Sequence, residues 1–205
     1  MRTRVLNVWG MGELLEYRSP KQRNETTAWL GMVIFLASWF MMFAALFFTY
    51  GGIRARSILW PPPAMPLLPL TLPTVNTIAI ALSSAVMQYG VFEVRRGKEQ
   101  RLGPALSITF LLGTVFMGLQ TMVWADLYAE GLKPDSGPYG SVFYGLTAIH
   151  AAHVVVGLLA IGFLTVRAFA GYYSAARHLA VRLWTMYWHF VGVIWLGLFL
   201  SVYVY

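Results

Sequence analysis

The sequence contains no cysteine and carries few charges for its length. Only 11% of its 205 residues are charged, and 8 of these are acidic, whereas 58% of the residues are hydrophobic. Without cysteine the chain cannot form a disulfide, a thiolate metal site or a cysteine nucleophile. So small a charged fraction beside so many apolar residues is not typical of a soluble globular domain. We therefore expect an integral membrane protein.

Buried charges are also missing from the long apolar segments. No Asp, Glu, Lys or Arg lies deep within such a segment, since Glu93 and Asp126 fall at segment ends. An ion pump or ion-coupled transporter normally needs an ionisable carboxylate or base inside its membrane spans. Zinc and non-haem iron sites usually combine histidines with a carboxylate, and carboxylate di-iron bundles need several. We predict no catalytic residue and no metal ligand in this chain.

Five apolar segments are present, and each is long enough to cross a bilayer as a helix, which takes about 20 residues. The sequence predicts an all-α fold with transmembrane helices at about residues 27–50, 73–93, 104–126, 138–167 and 182–205. Pro73, Pro104 and Pro138 open three of them, as suits a first helical turn, where a missing N–H costs nothing. Residues 1–25 are charged and lack the apolar core of a signal peptide. They predict an extramembrane arm ahead of a transmembrane domain at residues 26–205.

The basic residues lie between the apolar segments and mainly on one side of the expected membrane. The N-terminal arm, the loop near Arg95 to Arg101 and the loop near Arg167 to Arg182 hold 12 of the 15 Lys and Arg residues. Cytoplasmic loops are enriched in Lys and Arg. This asymmetry predicts a cytoplasmic N-terminus and a periplasmic C-terminus. Because the net charge of +7 is distributed in this way, it does not indicate a nucleic-acid partner.

Two histidines, His150 and His153, lie three residues apart in the fourth segment. At about 100° per residue they share one face of a helix. The opposite face carries a seam of small residues, spaced at i, i+4, i+7 and i+11, at which another helix can approach closely: Ser141, Gly145, Ala148 and Ala152. We therefore expect protein on both sides of this helix, with the rest of the chain packed around it.

The membrane-embedded histidines admit two interpretations. A single histidine can hold haem iron, but His150 and His153 lie within one turn and cannot serve two haems along one helix. Neutral imidazoles that hydrogen-bond across helices fit the pattern better, because burial without a counter-charge disfavours imidazolium. The residues to which we assign this structural role are His150, His153, His189 and Gln120. Further candidate partners are Ser38, Thr114, Thr121 and Thr185.

Fragments from all five segments resemble subunit III of the haem–copper terminal oxidases, the family that includes cytochrome c oxidase and the bacterial quinol oxidases. In chain order they are Leu30–Ser38, Pro73–Thr77 with Leu82–Ser84, Leu112–Gln120, Tyr139–Phe143 with Ile149–Val154, and Tyr187–Val191 with Val193–Leu196. Each fragment alone is weak, but five in the right order are specific. The resemblance covers the chain from Trp29 onward.

The resemblance implies a noncatalytic subunit in a bacterial inner membrane. Such a subunit binds no haem or copper of its own, packs against subunit I, and holds phospholipid in a cleft. Subunit I carries the catalytic centre, and subunit II and a small subunit IV are further expected partners. Larger members have seven helices, so five helices resemble the shorter bacterial form. The electron donor, cytochrome c or quinol, stays open. The alternatives are an accessory protein of a nitric oxide reductase system, a haem-b membrane anchor and a small transporter.

Two positions depart from the resembled family. The family commonly has an intramembrane glutamate after the serine of its first shared helix, where this chain has Trp39. It also commonly has an aspartate after the Trp-His-Phe-Val sequence, where this chain has Gly192. Both differences remove a buried carboxylate, and such replacement by apolar residues is often neutral or stabilising. We therefore expect the fold to be kept without either acid.

Overall fold

The computed structural model describes residues 20–63 and 65–204, with side chains from residue 23 onward. Within these residues the chain forms five long helices and no β-strand: α1 (Pro20–Arg56), α2 (Thr71–Arg95), α3 (Leu102–Ala129), α4 (Pro138–Phe169) and α5 (Leu179–Leu198). A short 3₁₀ helix at Glu99–Arg101 leads into α3, and a π-helical segment at Phe199–Val204 continues α5. All five helices are long and apolar enough to cross a membrane. The predicted all-α fold with five spans is confirmed.

Helix α4 begins at Pro138 as predicted, whereas the other four helices begin earlier than predicted. Helix α1 starts at Pro20 and α5 at Leu179, because hydropathy marks only the membrane-embedded part of a helix and not its polar extension into water. Pro73 and Pro104 lie within the first turns of α2 and α3 rather than at their first residues. The first four N–H groups of a helix lack an intrahelical acceptor, so both places tolerate proline. The first 19 residues of the predicted arm lie outside the described residues.

Helices α2, α3, α4 and α5 form a closed ring in which each helix packs against the next and α5 returns to α2. Helix α1 lies outside this ring against α4 and α5. Its most apolar 18-residue stretch has a mean hydropathy of 2.2, the highest such value among the five helices, yet only 6% of that stretch is buried within the chain. The prediction that the other helices surround α4 is therefore wrong. A four-helix ring buries one face of each member, and α4 is only one of the four.

Trp188 of α5 is the residue that joins the four helices of the ring, and it is fully buried. A Cβ atom on Gly113 of α3 would lie 2.8 Å from its indole ring, and one on Gly157 of α4 would lie 2.9 Å from it. The indole N–H donates to Ser83 Oγ of α2 over 3.0 Å. Both glycines are thus needed because the indole occupies the space a side chain would take.

Candidate functional site

The seam of small residues on α4 lies on the outer surface of the molecule. All four of its members are exposed: Ser141, Gly145, Ala148 and Ala152. A Cβ atom on Gly145 would meet nothing within 4 Å, and Ser141 Oγ donates to the Pro134 carbonyl in the preceding loop over 2.7 Å. No helix of the described chain therefore covers this seam. The expectation of protein on both sides of α4 holds within this chain only for the histidine side.

The opposite face of α4 carries His150 and His153, which are 1% and 8% exposed. Aromatic rings from three other helices enclose the pair. We name these residues together the histidine–aromatic cluster: Trp39 and Phe43 of α1, Phe116 of α3, His150 and His153 of α4, and Trp195 of α5. The cluster joins α1 to the four-helix ring, because two of the aromatic side chains in the cluster belong to α1.

The closest contact in the cluster joins Trp39 and His153, whose ring centroids are 4.0 Å apart at an interplanar angle of 81°. Phe43 lies 5.3 Å from His153. On the other side Trp195 stacks on His150 at 5.6 Å. Phe116 meets the same imidazole edge-on at 6.1 Å. The rings that contact the pair thus supply apolar surface and π-faces rather than charge.

Hydrogen bonding within the cluster is sparse. His153 Nδ1 lies 2.6 Å from the carbonyl oxygen of Ile149, one turn earlier in α4. Since a carbonyl can only accept, this contact requires the proton on Nδ1, and in the neutral tautomer Nε2 is then the acceptor. That Nε2 has no hydrogen-bond partner among the described residues, and neither ring nitrogen of His150 has one. The pair is therefore held by packing more than by polar contacts.

The hydroxyl groups expected to bond the histidines bond their own helices instead. Ser38 donates to Ile34, Thr114 to Phe110, Thr121 to Gly118 and Thr185 to Val181, each through a backbone carbonyl three or four residues earlier. Ser and Thr in a helix readily satisfy their hydroxyl in this way. The hydroxyl is then no longer free to bridge to a neighbouring helix.

His189 and Gln120 do make contacts between helices. His189 Nε2 of α5 lies 3.1 Å from Gln88 Oε1 of α2. Gln120, which is 1% exposed, accepts from Asn76 Nδ2 over 3.5 Å and donates to the Tyr203 hydroxyl over 3.4 Å. Both of these latter bonds are long, so Gln120 links its neighbours weakly.

Three tryptophans supply interhelical donors that sequence reasoning overlooked. Trp188 donates to Ser83, Trp195 to Thr77 and Trp124 to Thr147, all over 3.0 to 3.1 Å. An indole N–H can only donate, and when buried it usually finds an acceptor. The signal was present as tryptophans in the third and fifth segments and as hydroxyl residues in the second and fourth. Which tryptophan faces which hydroxyl depends on how each helix is rotated about its axis. The sequence of a single segment does not determine that rotation.

Trp39 and Gly192, the two positions at which the resembled family commonly has a carboxylate, have different surroundings. Trp39 packs on His153, so an acidic side chain at this position would face that imidazole. Gly192 lies at the floor of a groove of about 240 Å³ between α2 and α5. A Cβ atom there would lie 3.5 Å from Ser84 Oγ and 3.9 Å from Ile80 Cγ1. Tryptophan fills the first site, whereas glycine leaves the second one open.

Among the residues whose side chains the structure describes, Glu93 is the buried carboxylate, and it lies at the end of α2. Glu93, which is 3% exposed, accepts from Arg101 Nη1 over 2.8 Å and lies 3.7 Å from Lys98 Nζ. Arg101 also donates to the Tyr89 hydroxyl over 3.0 Å. This cluster pins the turn between α2 and α3. In the part of the chain that the structure describes, no three His, Cys, Asp or Glu residues are grouped as metal ligands. The absence of a metal site stays a prediction.

Residues 21–205 match the protein family described as Cytochrome c oxidase subunit III. A relative from Nocardia farcinica, described as probable cytochrome c oxidase subunit 3, is 38% identical over 176 residues, which are 85% of this chain and 86% of the relative. The cytochrome c oxidase subunit 3 of Thermostichus vulcanus is 34% identical over 176 residues, with the same shares of both chains. That of Arabidopsis thaliana is 32% identical over 185 residues, which are 84% of this chain and 66% of the relative.

Proposed function

The chain belongs to the cytochrome c oxidase subunit III family, and we propose that it acts in its complex as a noncatalytic subunit that stabilises the catalytic subunit and binds lipid. Family and fold make it a multi-pass membrane subunit of a respiratory haem–copper oxidase. Electron transfer, oxygen reduction and proton pumping then belong to partners that carry the haem and copper. The membrane in question is a bacterial inner membrane.

The exposed seam on α4 is the observation that carries this proposal. Small residues let two helix backbones approach closely, and van der Waals packing is what drives helix association in a bilayer. Gly145 and Ala148 offer such a surface, and no helix of the described chain uses it. We assign this seam to subunit I. Subunit II and a small subunit IV complete the proposed assembly.

The noncatalytic role is supported by the chemistry of the buried polar groups. His150 and His153 face aromatic rings, and Glu93 is paired with Arg101 at a helix end. Among the described residues neither histidine forms an ion pair with a carboxylate, and the Glu93 carboxylate is neutralised by Arg101 and Lys98. The named relatives are oxidase subunits, which favours this role over a nitric oxide reductase accessory protein, a haem-b anchor or a transporter.

Purification of the tagged chain from its native membrane in mild detergent tests the proposal. We expect a larger haem-bearing subunit to copurify with it, and oxygen consumption to follow that complex. The chain expressed alone should show no Soret band. A Soret band in the isolated chain, or recovery of the chain only as a free monomer while all haem elutes elsewhere, would overturn the proposal.

A further inference from the structure

A long groove runs between α2 and α5 on the outer side of the ring. The two helices lie antiparallel, so that Arg95 is level with Arg182, Gln88 with His189, and Ser84 with Gly192. Two cavities of about 130 and 240 Å³ adjoin each other in it and share His189 as a wall. We call this feature, from Arg95 and Arg182 to Gly192, the α2–α5 groove.

The two ends of the groove differ in chemistry. Arg95 and Arg182 line one end with Gln88 and His189. Beyond His189 the walls become apolar, with Ile80, Val193 and Leu196 around Gly192. The helical distance from Arg182 to Gly192 is about 15 Å at 1.5 Å per residue. This is half of the roughly 30 Å hydrocarbon thickness of a bilayer, or the depth of one leaflet.

The charged end of the groove is not neutralised by the described chain. The ion pairs of this region join Glu93 to Lys98 and Arg101. Neither Arg95 nor Arg182 forms an ion pair with a carboxylate within residues 23–63 and 65–204. Two guanidinium groups at the mouth of a membrane groove complement an anionic phosphate, which arginine binds with charge-assisted hydrogen bonds.

The apolar end of the groove exists because residue 192 is glycine. A Cβ atom there would make ordinary van der Waals contact with Ser84 and Ile80, so a larger side chain would enter the groove without a backbone clash. An acyl chain passing His189 would occupy the same space. A free phosphate ion would make no favourable contact with the apolar walls of this half of the groove.

We propose that the α2–α5 groove binds one anionic phospholipid. Its phosphate contacts Arg95 and Arg182, and one acyl chain descends past the Gln88–His189 pair to lie over Gly192. The inference rests on the proposed function in that it gives the lipid-binding role a place on this chain. It does not require the seam on α4 to be the contact with subunit I.

The test is lipid titration of the purified complex, followed by native mass spectrometry. Phosphatidylglycerol is the probe, and phosphatidylcholine is the comparison lipid. The double variant Arg95→Gln/Arg182→Gln should bind phosphatidylglycerol about 25-fold more weakly, or about fivefold for each arginine near the membrane surface. Gly192→Leu should weaken binding of both lipids, because it fills the place of the acyl chain.

Matched controls lie on surfaces outside the groove. Arg96→Gln removes a neighbouring guanidinium that stacks on Phe92, and Gly118→Leu adds a side chain at an exposed glycine of α3 with open space around it. Both should bind phosphatidylglycerol like the parent complex. Unchanged binding in the groove variants, or equal losses in the controls, would overturn the proposal.

Two further outcomes also decide against it. If inorganic phosphate displaces the bound lipid completely and Gly192→Leu has no effect, the groove recognises a headgroup alone. If the Ser84→Cys variant crosslinks to a partner subunit in the complex, a protein helix occupies the groove. Haem copurification is scored in the same preparations, so failure of the proposed function is seen in the parent complex before any groove variant is compared.

Discussion

His150 is enclosed by Trp195, Phe116 and Phe43, and neither of its ring nitrogens has a hydrogen-bond partner among the described residues. A buried polar group in this state costs about 1 to 3 kcal/mol relative to a paired one. The structural role predicted from the sequence implies a hydrogen-bond partner for His150, which leucine would leave unpaired at a cost in stability. The structure corrects this expectation, because the described residues provide no such partner.

We predict that His150→Leu keeps the stability of the complex or raises it, whereas His153→Leu lowers it by about 0.5 to 1.5 kcal/mol through loss of the bond to Ile149. Unfolding of the purified complex at increasing SDS concentration measures the free energy of unfolding of each variant. A larger loss for His150→Leu than for His153→Leu would contradict the description of the cluster.

Glutamine at either position, His150→Gln or His153→Gln, should preserve assembly and proton pumping. Normal assembly with abolished pumping would instead assign the pair a proton-carrying role.

At the scale of helices, the close contacts of the ring depend on two glycines that face one tryptophan. Gly157→Ala and Gly113→Ala should each destabilise the chain by about 1 to 3 kcal/mol, because the added methyl group overlaps the buried Trp188 ring. Gly118→Ala is the matched control, since it has open space around it and gains up to about 1 kcal/mol of helix propensity. SDS unfolding again gives the comparison. Equal stability of all three variants would show that Trp188 does not fix the packing.

The helices could be predicted from the sequence because a bilayer imposes their length and polarity residue by residue. The sequence did not predict which helices pack against one another. The spacing that exposes Gly145 to a partner is as compatible with packing inside the chain, and nothing in its segment distinguishes it from Gly157. Likewise the shared face of His150 and His153 was predictable from a three-residue spacing. The aromatic residues around it come from three other helices, whose rotations are fixed only by packing in three dimensions.

On the scale of the whole molecule, an odd number of membrane spans predicts that the two ends of the chain lie on opposite sides of the membrane. The excess of basic residues predicts that the connection between α4 and α5 is cytoplasmic and that between α3 and α4 periplasmic. Because the chain has no cysteine, single substitutions report without background. A membrane-impermeant maleimide should label Asp135→Cys in intact spheroplasts and label Ala175→Cys only after permeabilisation. The reverse pattern would invert the orientation.

The proposed contact with the haem-bearing subunit is tested most directly at the α4 seam. The measurement is the amount of haem recovered per tagged chain after purification in mild detergent. The double variant Gly145→Leu/Ala148→Leu should lose most of the haem, because bulky side chains separate the two helix backbones. Gly118→Leu, which makes the same glycine-to-leucine substitution at an exposed glycine of α3, should retain it. Full haem recovery with the seam variant would show that subunit I does not pack on this face of α4.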